Sequence, residues 1–296
     1  MIKFVNAKIN LGLNIIRKRE DGYHDLETVF YPVGLESGMP QQPEPFDDIL
    51  EITTNRSQLS GCRFQFMGCR IDCPPNKNLV VRAATSFLQA YSEREDDLEK
   101  LGMFEIILDK HLPDGAGLGG GSADAAFTLS TLNEVTGEKL SQKILYELAE
   151  KIGADCPFFL YNKPAFAEGK GEILTPLDIN LKDKFILIVK PGVYISTKEA
   201  FSGVIPKKPK FDLRFLPHLP LEEWKDNVVN DFEESIFPLH PQLADIKESL
   251  YGFGGIYASM SGSGSSIYAI FNDKEKAGEA KRVFESTNSG VWLFGV

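Results

Sequence analysis

Between positions 112 and 122 the chain reads Leu112-Pro113-Asp114-Gly115-Ala116-Gly117-Leu118-Gly119-Gly120-Gly121-Ser122, five glycines in seven residues directly ahead of an alanine-rich segment. Glycine loses more backbone entropy on folding than any other residue, so this density needs a purpose. Without Cβ atoms the backbone can take positive φ and approach a ligand closely, and successive N–H groups can face an anion at the positive end of a helix. A flexible linker or a plain helix-entry turn is the bland alternative. Linkers are seldom set between an apolar strand and a good helix former, so phosphate binding is the better reading. The loop is not a Walker A motif, because no Gly-Lys-Ser/Thr closes it. It satisfies GxGxxG from Gly115 to Gly120, but in a dinucleotide-binding unit the loop follows its strand at once and an acidic residue closes the next strand ~20 residues on. Here Lys110-His111-Leu112-Pro113-Asp114 intervenes, which leaves a nicotinamide-dependent oxidoreductase as a rival only.

Two charged residues stand in places that ask for an explanation. Lys8 sits in an otherwise apolar and amide run, residues 5–13. Pointing inward, its ammonium would need a partner; pointing outward, it would be an edge lysine that discourages aggregation. Asp155 follows a helix and precedes Pro157, where a carboxylate is either fixed for chemistry or simply caps a turn. Alternation decides neither case. Cys62, Cys69, Cys73 and Cys156 form no CxxC pair and no histidine follows at finger spacing, so they read as reduced structural thiols rather than a metal site.

The elements that must position these residues follow from periodicity. Residues 2–16 read as a strand, Asp21-Gly22 as a turn and residues 26–33 as the partner strand of a hairpin. Residues 36–48, with Pro40, Pro43 and Pro45, read as an exposed loop. Leu79, Ala83, Ala84, Phe87, Leu88 and Tyr91 mark an amphipathic helix over 78–92. A strand at 103–108 leads into the glycine-rich loop and a helix over 123–135. A further helix over 141–152 is capped at Ser141 and stopped by Gly153. Then come a strand at 185–189, an irregular stretch at 206–220, a helix near 241–251 and a strand at 267–271. With 296 residues, 43% of them hydrophobic, the chain is long for one core, and two domains meeting near residue 175 are expected.

The loop resembles the PxxxGLGxxS signature of the GHMP kinases. Ala7-Lys8-Ile9-Asn10-Leu11 and Asp21-Gly22-Tyr23-His24 resemble the opening of the branch that phosphorylates 4-diphosphocytidyl-2-C-methyl-D-erythritol on the non-mevalonate isoprenoid route. Gly153-Ala154-Asp155-Cys156-Pro157-Phe158-Phe159 resembles that branch's GADxPxF segment, and Ser261-Gly262-Ser263-Gly264-Ser265-Ser266 its third glycine-rich motif. The matches run in order from residue 4 to residue 271; inserts at 36–48 and 206–224 depart from the pattern and look like surface loops. The resemblance implies an α+β architecture with a ribosomal protein S5 domain 2-like domain (1–175) and a ferredoxin-like domain (176–296). It implies ATP and Mg²⁺ as co-substrate and cofactor, with Asp155 as base, Lys8 paired to it, and Ser122 near the metal. Residues 113–123, from Pro113 to Ser122 and Ala123, would cradle the phosphates. Asn78, Leu79 and Lys110 would line the adenosine pocket, and Thr197 is a weaker nucleotide candidate. Tyr23 and Phe201 would sandwich the cytosine with His24 on its edge; such stacking is worth ~1–3 kcal/mol per base in nucleic-acid sites. Asn10 would contact the methylerythritol end, and Gly262 and Gly264 the diphosphate. Mevalonate or homoserine kinases are the near rivals, though their small acids have no use for a base sandwich.

Composition excludes other classes. A net charge of −10 disfavours nucleic-acid binding, which needs a dominant positive field, and so disfavours an RNA-binding module suggested by an S5-like fold alone. No run approaches the ~20 apolar residues of a membrane span, and the first residues do not read as a secretory signal. A cytoplasmic protein without membrane or nucleic-acid partners, monomeric or homodimeric, is expected.

Overall fold

The computed structural model describes residues 1–34, 46–69, 73–94, 101–287 and 289–296. In chain order the strands and helices begin β1 (Ile2–Val5), β2 (Ala7–Lys18), β3 (His24–Val33), β4 (Asp48–Asn55), β5 (Gly61–Gly68), α1 (Leu79–Ser92) and β6 (Met103–Lys110). There follow α2 (Gly120–Val135), α3 (Gln142–Ile152), α4 (Cys156–Tyr161), β7 (Ala165–Glu168), β8 (Ile173–Pro176), β9 (Phe185–Lys190) and α5 (Thr197–Ser202). The chain ends with α6 (Trp224–Asn227), α7 (Phe232–Ile236), α8 (Pro241–Gly252), β10 (Tyr257–Met260), β11 (Ile267–Phe271), α9 (Lys274–Glu285) and β12 (Gly290–Gly295). Two compact units share the chain: Met1–Ala7, Gly34–Asp114 and Gly119–Asn162 form the first, and Lys8–Val33, Gly115–Leu118 and Lys163–Val296 the second.

The first unit is a four-stranded sheet of order β1-β4-β6-β5 with helices α1 to α4. In β6 the residues alternate, so that Phe104, Ile106, Leu108 and Lys110 are buried, as a strand with one covered face requires. Asn78 caps α1, its side-chain oxygen accepting from the N–H of Val80 at 2.9 Å. The α1 stripe buries Ala83, Ala84, Phe87 and Tyr91, while Leu79 and Leu88 are half-buried. Helix α2 starts at Gly120 rather than at 123, inside the glycine run, because left-handed Gly119 (φ 74°) turns the chain into it. Ser141 occupies the N-cap position of α3 but its side chain accepts no capping bond, which corrects the expected cap.

The second unit holds two sheets, β2-β3-β7-β8 and β10-β11-β9-β12. The latter is antiparallel throughout, and its apolar β9 packs into a core with Leu243, Leu250, Ala277, Ala280 and Phe284 from α8 and α9.

Three further expectations are corrected. The strand expected at 2–16 is two: β1 pairs with β4 and β2 pairs with β3, the break falling at buried Asn6, whose amide donates to the Ala7 carbonyl at 2.9 Å. Most of the loop expected at 36–48 lies outside the described residues, but Phe46, Asp47 and Asp48 are buried because the chain is already entering β4. The stretch at 206–224 is not a surface loop throughout. Its 3₁₀ turn Leu213–His218 buries Leu213 and Leu216, and Trp224 is buried beyond it. Gly12, left-handed at φ 77°, makes the room, since a Cβ there would stand 2.8 Å from Leu213 Cδ2.

Candidate active site

In the glycine-rich loop, Gly115, Gly117 and Gly119 have φ of 62°, 77° and 74°, whereas the alternating Ala116 and Leu118 are buried. The alternation explains the composition: one residue anchors, the next bends where a side chain would be strained. The loop's carbonyls are taken up inside the second unit. Ser266 N–H donates to Ala116 O (3.2 Å), Lys8 N–H to Leu118 O (3.0 Å), and Ser261 Oγ to Gly117 O (2.9 Å). At Gly119 the chain enters α2, whose first N–H groups have no intrahelical acceptor, as at any helix N-terminus able to take an anion.

Beside the start of α2, within the first unit, lies a cavity of ≈ 180 Å³ lined by Asn78, Leu79, Val80, Leu108, Lys110, Asp114, Gly121 and Asp124, with Cys73 and Lys77. Leu79, Val80 and Leu108 supply apolar walls for a base, and at Gly121 the nearest atom to an added Cβ would be Leu79 Cδ1, 3.7 Å away. The residues therefore fit a nucleotide, apolar wall on one side and helix N-terminus on the other. Among the described residues no group of three or more His, Cys, Asp or Glu could hold a metal. A cation arriving on nucleotide phosphates needs no such cage. Ser122 has its hydroxyl close to the Cys156 thiol, which burial pushes up to about 12 despite the bond from Ser122.

Lys110 lines this cavity and is also the centre of a buried ion-pair cluster. Its Nζ lies 2.5 Å from Asp48 Oδ2 and 2.9 Å from Asp124 Oδ2, all three side chains being buried. Burial alone would disfavour the ammonium, but the charges of Asp124 and Asp48 outweigh it and raise its pKa. Burial pushes the Asp124 carboxyl well above its usual range, against the pull of Lys110. Asp48 also accepts from the N–H groups of His111 and Leu112 at 2.5 and 2.7 Å, which ties the loop's entrance to β4. Asp48 and Asp124 were not foreseen; extending the β6 alternation from Leu108 to Lys110 would have placed the lysine inside and asked for its partners.

Lys8, in the second unit, points inward and is 3% exposed, which settles the orientation that alternation left open. Its Nζ donates to Asn10 Oδ1 (2.6 Å) and to the Gly117 carbonyl (3.0 Å), and stands 5.1 Å from the Phe30 ring centre. Asn10 in turn donates to Thr28 Oγ1 at 2.9 Å. Gly262, at φ 55°, approaches both: a Cβ there would sit 3.3 Å from Gly117 O and 3.4 Å from Asn10 Oδ1. Asn230 holds this turn by donating to Met260 O and Gly262 O at 2.7 and 2.9 Å, and Tyr268 Oη donates to Asn10 O at 2.7 Å. The N-terminal strand, the central glycine loop and the last glycine motif thus converge on one buried cation. Gly264 is left-handed beside Met260 and Ile195.

His24 and Phe201 are stacked, ring centres 4.8 Å apart and planes inclined by 19°, and Phe201 meets Phe232 edge-on at 4.9 Å. Tyr23 is exposed, with Lys170 Nζ 5.2 Å from its ring centre. A base held between Tyr23 and Phe201 therefore requires His24 to leave the face of Phe201. The His24 pKa is lowered, first by burial and then by Lys18, so the ring is neutral near pH 7. Thr197 is exposed at the start of α5. Asp155, in the first unit, stands at the N-cap position of α4 in αR conformation without capping it, so a capping role does not account for it.

Two family models match the chain: GHMP kinases N terminal domain over residues 78–163 and GHMP kinases C terminal over 217–289. Together they cover half of the chain, and whole-chain relatives extend the match. The 4-diphosphocytidyl-2-C-methyl-D-erythritol kinase of Bacteroides fragilis is 47% identical over 93% of this chain and 94% of its own length. The chain belongs to the GHMP kinase family. The protein of the same name from Cytophaga hutchinsonii is 40% identical over 93% of both chains. Among solved structures, a 4-(cytidine 5'-diphospho)-2C-methyl-D-erythritol kinase superposes with TM-score 0.78 at 29% identity, covering 99% of this chain and 98% of that one. A homoserine kinase from Cytophaga hutchinsonii, at TM-score 0.66 and 19% identity, shares the fold. The expected α+β GHMP kinase fold is the fold of this family member, and the protein is a kinase.

Proposed function

We propose that the protein transfers the γ-phosphoryl group of ATP to the 2-hydroxyl of 4-diphosphocytidyl-2-C-methyl-D-erythritol, giving the 2-phosphate and ADP on the non-mevalonate route to isoprenoids. The observation that carries this reading is the inward Lys8 bonded to Asn10 and to the glycine loop, in a chain whose relatives bear that kinase name over nearly their full length. Asp155 accepts the proton of the attacking hydroxyl as the new O–P bond forms and the bond to the ADP oxygen breaks. Lys8 stabilises charge on the transferring oxygens. Residues 113–123 hold the phosphates, and Asn78, Leu79 and Lys110 line the adenosine pocket. Ser122 would lie beside a Mg²⁺ bound to the phosphates, which would supply charge neutralisation there. Asn10, Gly262 and Gly264 face the acceptor, with Tyr23, His24 and Phe201 at its cytosine and Thr197 nearby. The division of the chain near residue 175, between the two family segments, belongs to this reading, as does a cytoplasmic setting; among the described residues no helix is long and apolar enough to cross a membrane.

The test is ADP release from Mg²⁺-ATP with the cytidyl substrate, mevalonate and homoserine offered separately, and with Asp155→Asn in parallel. Turnover confined to the cytidyl substrate and lost in the variant is expected. Turnover with another acceptor would retain the kinase and remove the cytosine site.

A further inference from the structure

Tyr194 is 72% exposed and belongs to none of the groups assigned above. Scattered exposed apolar residues are ordinary, but this one stands on an unusually well-anchored strap. As the chain leaves β9, Lys190 Nζ donates to the carbonyls of Pro191 and Val193 at 2.7 and 3.0 Å. Ser265 Oγ donates to the same Val193 carbonyl at 2.5 Å. On the other side Ile195 is buried, its Cδ1 3.1 Å from where a Cβ on Gly264 would lie. The residue between these anchors projects its ring outward against the glycine loop: a Cβ on Gly115 would stand 2.8 Å from Tyr194 Cε2 and 3.3 Å from Cδ2. The bare α-carbon of Gly115 is what admits the ring. The next loop residue, Ala116, is held to Ser266 N–H at 3.2 Å, so strap, last glycine motif and phosphate loop are joined by hydrogen bonds within one unit.

We propose that Tyr194 is a positioning residue for phosphate on this loop, and specifically for the phosphate chain of ATP. Its ring covers Gly115, and its phenolic O–H donates to a phosphate oxygen held by the loop. A phenol fits the task in a chain of net charge −10, because it adds a donor beside the loop without adding a mobile cation. The strap fixes the backbone, and two side-chain torsions are all that remain to be ordered when the ligand arrives.

The proposal rests on the kinase reading, and the experiment separates the two. Mg²⁺-ATP is titrated into the unaltered chain, Tyr194→Phe and Tyr194→Ala by calorimetry, and KM for ATP and for the cytidyl substrate is measured in each. Loss of the hydroxyl in Tyr194→Phe should raise the Kd and KM for ATP about three- to tenfold, the range for one net hydrogen bond. Tyr194→Ala should raise them at least as much, with the KM for the cytidyl substrate unchanged and the melting temperature unaltered. If the unaltered chain binds ATP and turns over while both variants keep its ATP constants, or lose only affinity for the cytidyl substrate, the assignment to ATP is overturned and the kinase stands. If the unaltered chain binds no ATP, both are overturned.

Discussion

A single methylene-rich side chain connects three distant motifs here. Lys8 is held by Asn10 and the Gly117 carbonyl rather than by solvent, so replacing it by methionine keeps the packed stem and removes the charge together with these two hydrogen bonds. Lys8→Met should lower kcat by about 10²–10³, the usual loss for one transition-state donor, with KM for ATP little changed in steady-state assays. His24 offers a pH test. Its folded pKa lies below the unfolded value because burial disfavours the imidazolium and Lys18 repels it. The native arrangement of this ring is therefore fully favoured above the unfolded value of ~6.5 and is lost as pH falls through the lower folded pKa. The KM for the cytidyl substrate should rise as pH falls through the lowered folded pKa of His24, and His24→Phe should abolish that rise; a rise that persists in the variant would place the titrating group elsewhere.

At the level of elements, the glycines of the loop divide into two kinds. A Cβ on Gly117 would overlap the Ser261 carbonyl and sit at φ 77°, whereas one on Gly121 would meet only Leu79 at 3.7 Å. Gly117→Ala should lower the melting temperature together with activity, while Gly121→Ala should keep the melting temperature and raise the KM for ATP. The buried pair around Lys110 makes a second contrast. Lys110→Met strands Asp48 and Asp124 as uncompensated carboxylates and should cost about 3–5 kcal/mol of stability in denaturant titration. Asp124→Asn leaves Lys110 paired with Asp48 and should cost less. Much of this was legible in the chain: the amphipathic stripe of α1, the strand–loop–helix order around the glycines and the apolar β9 each had one period to read. What escaped had none. β2 is buried on both faces from Ala7 to Ile15, so its alternation carries no information about the break at Asn6 or the direction of Lys8. Asp48 followed a proline-rich segment that resembled a loop, and its reason to be inside, Lys110 with the N–H groups of His111 and Leu112, lies far along the chain.

For the molecule as a whole, the stretch at 206–224 runs along the surface of its unit but is pinned into the core at Leu213, Leu216 and Trp224. Trp224 is buried, its indole N–H donates to Leu219 O at 3.0 Å, and its ring meets Tyr257 edge-on at 5.5 Å. Trp224→Ala should therefore cost about 3–5 kcal/mol, measured by thermal or denaturant unfolding. Hydropathy could not reveal this, because prolines and lysines dilute the few apolar anchors that do the packing. Neither compact unit is a continuous stretch of chain, and that has a consequence for biosynthesis. The strand β3 must find β7, with Val29 opposite Phe166, yet β7 leaves the ribosome long after it. At ~5–20 residues per second the delay is on the order of ten seconds. Throughout that interval the nascent hairpin carries an unpaired edge, so the order in which this chain is made runs against the order in which its sheet can close.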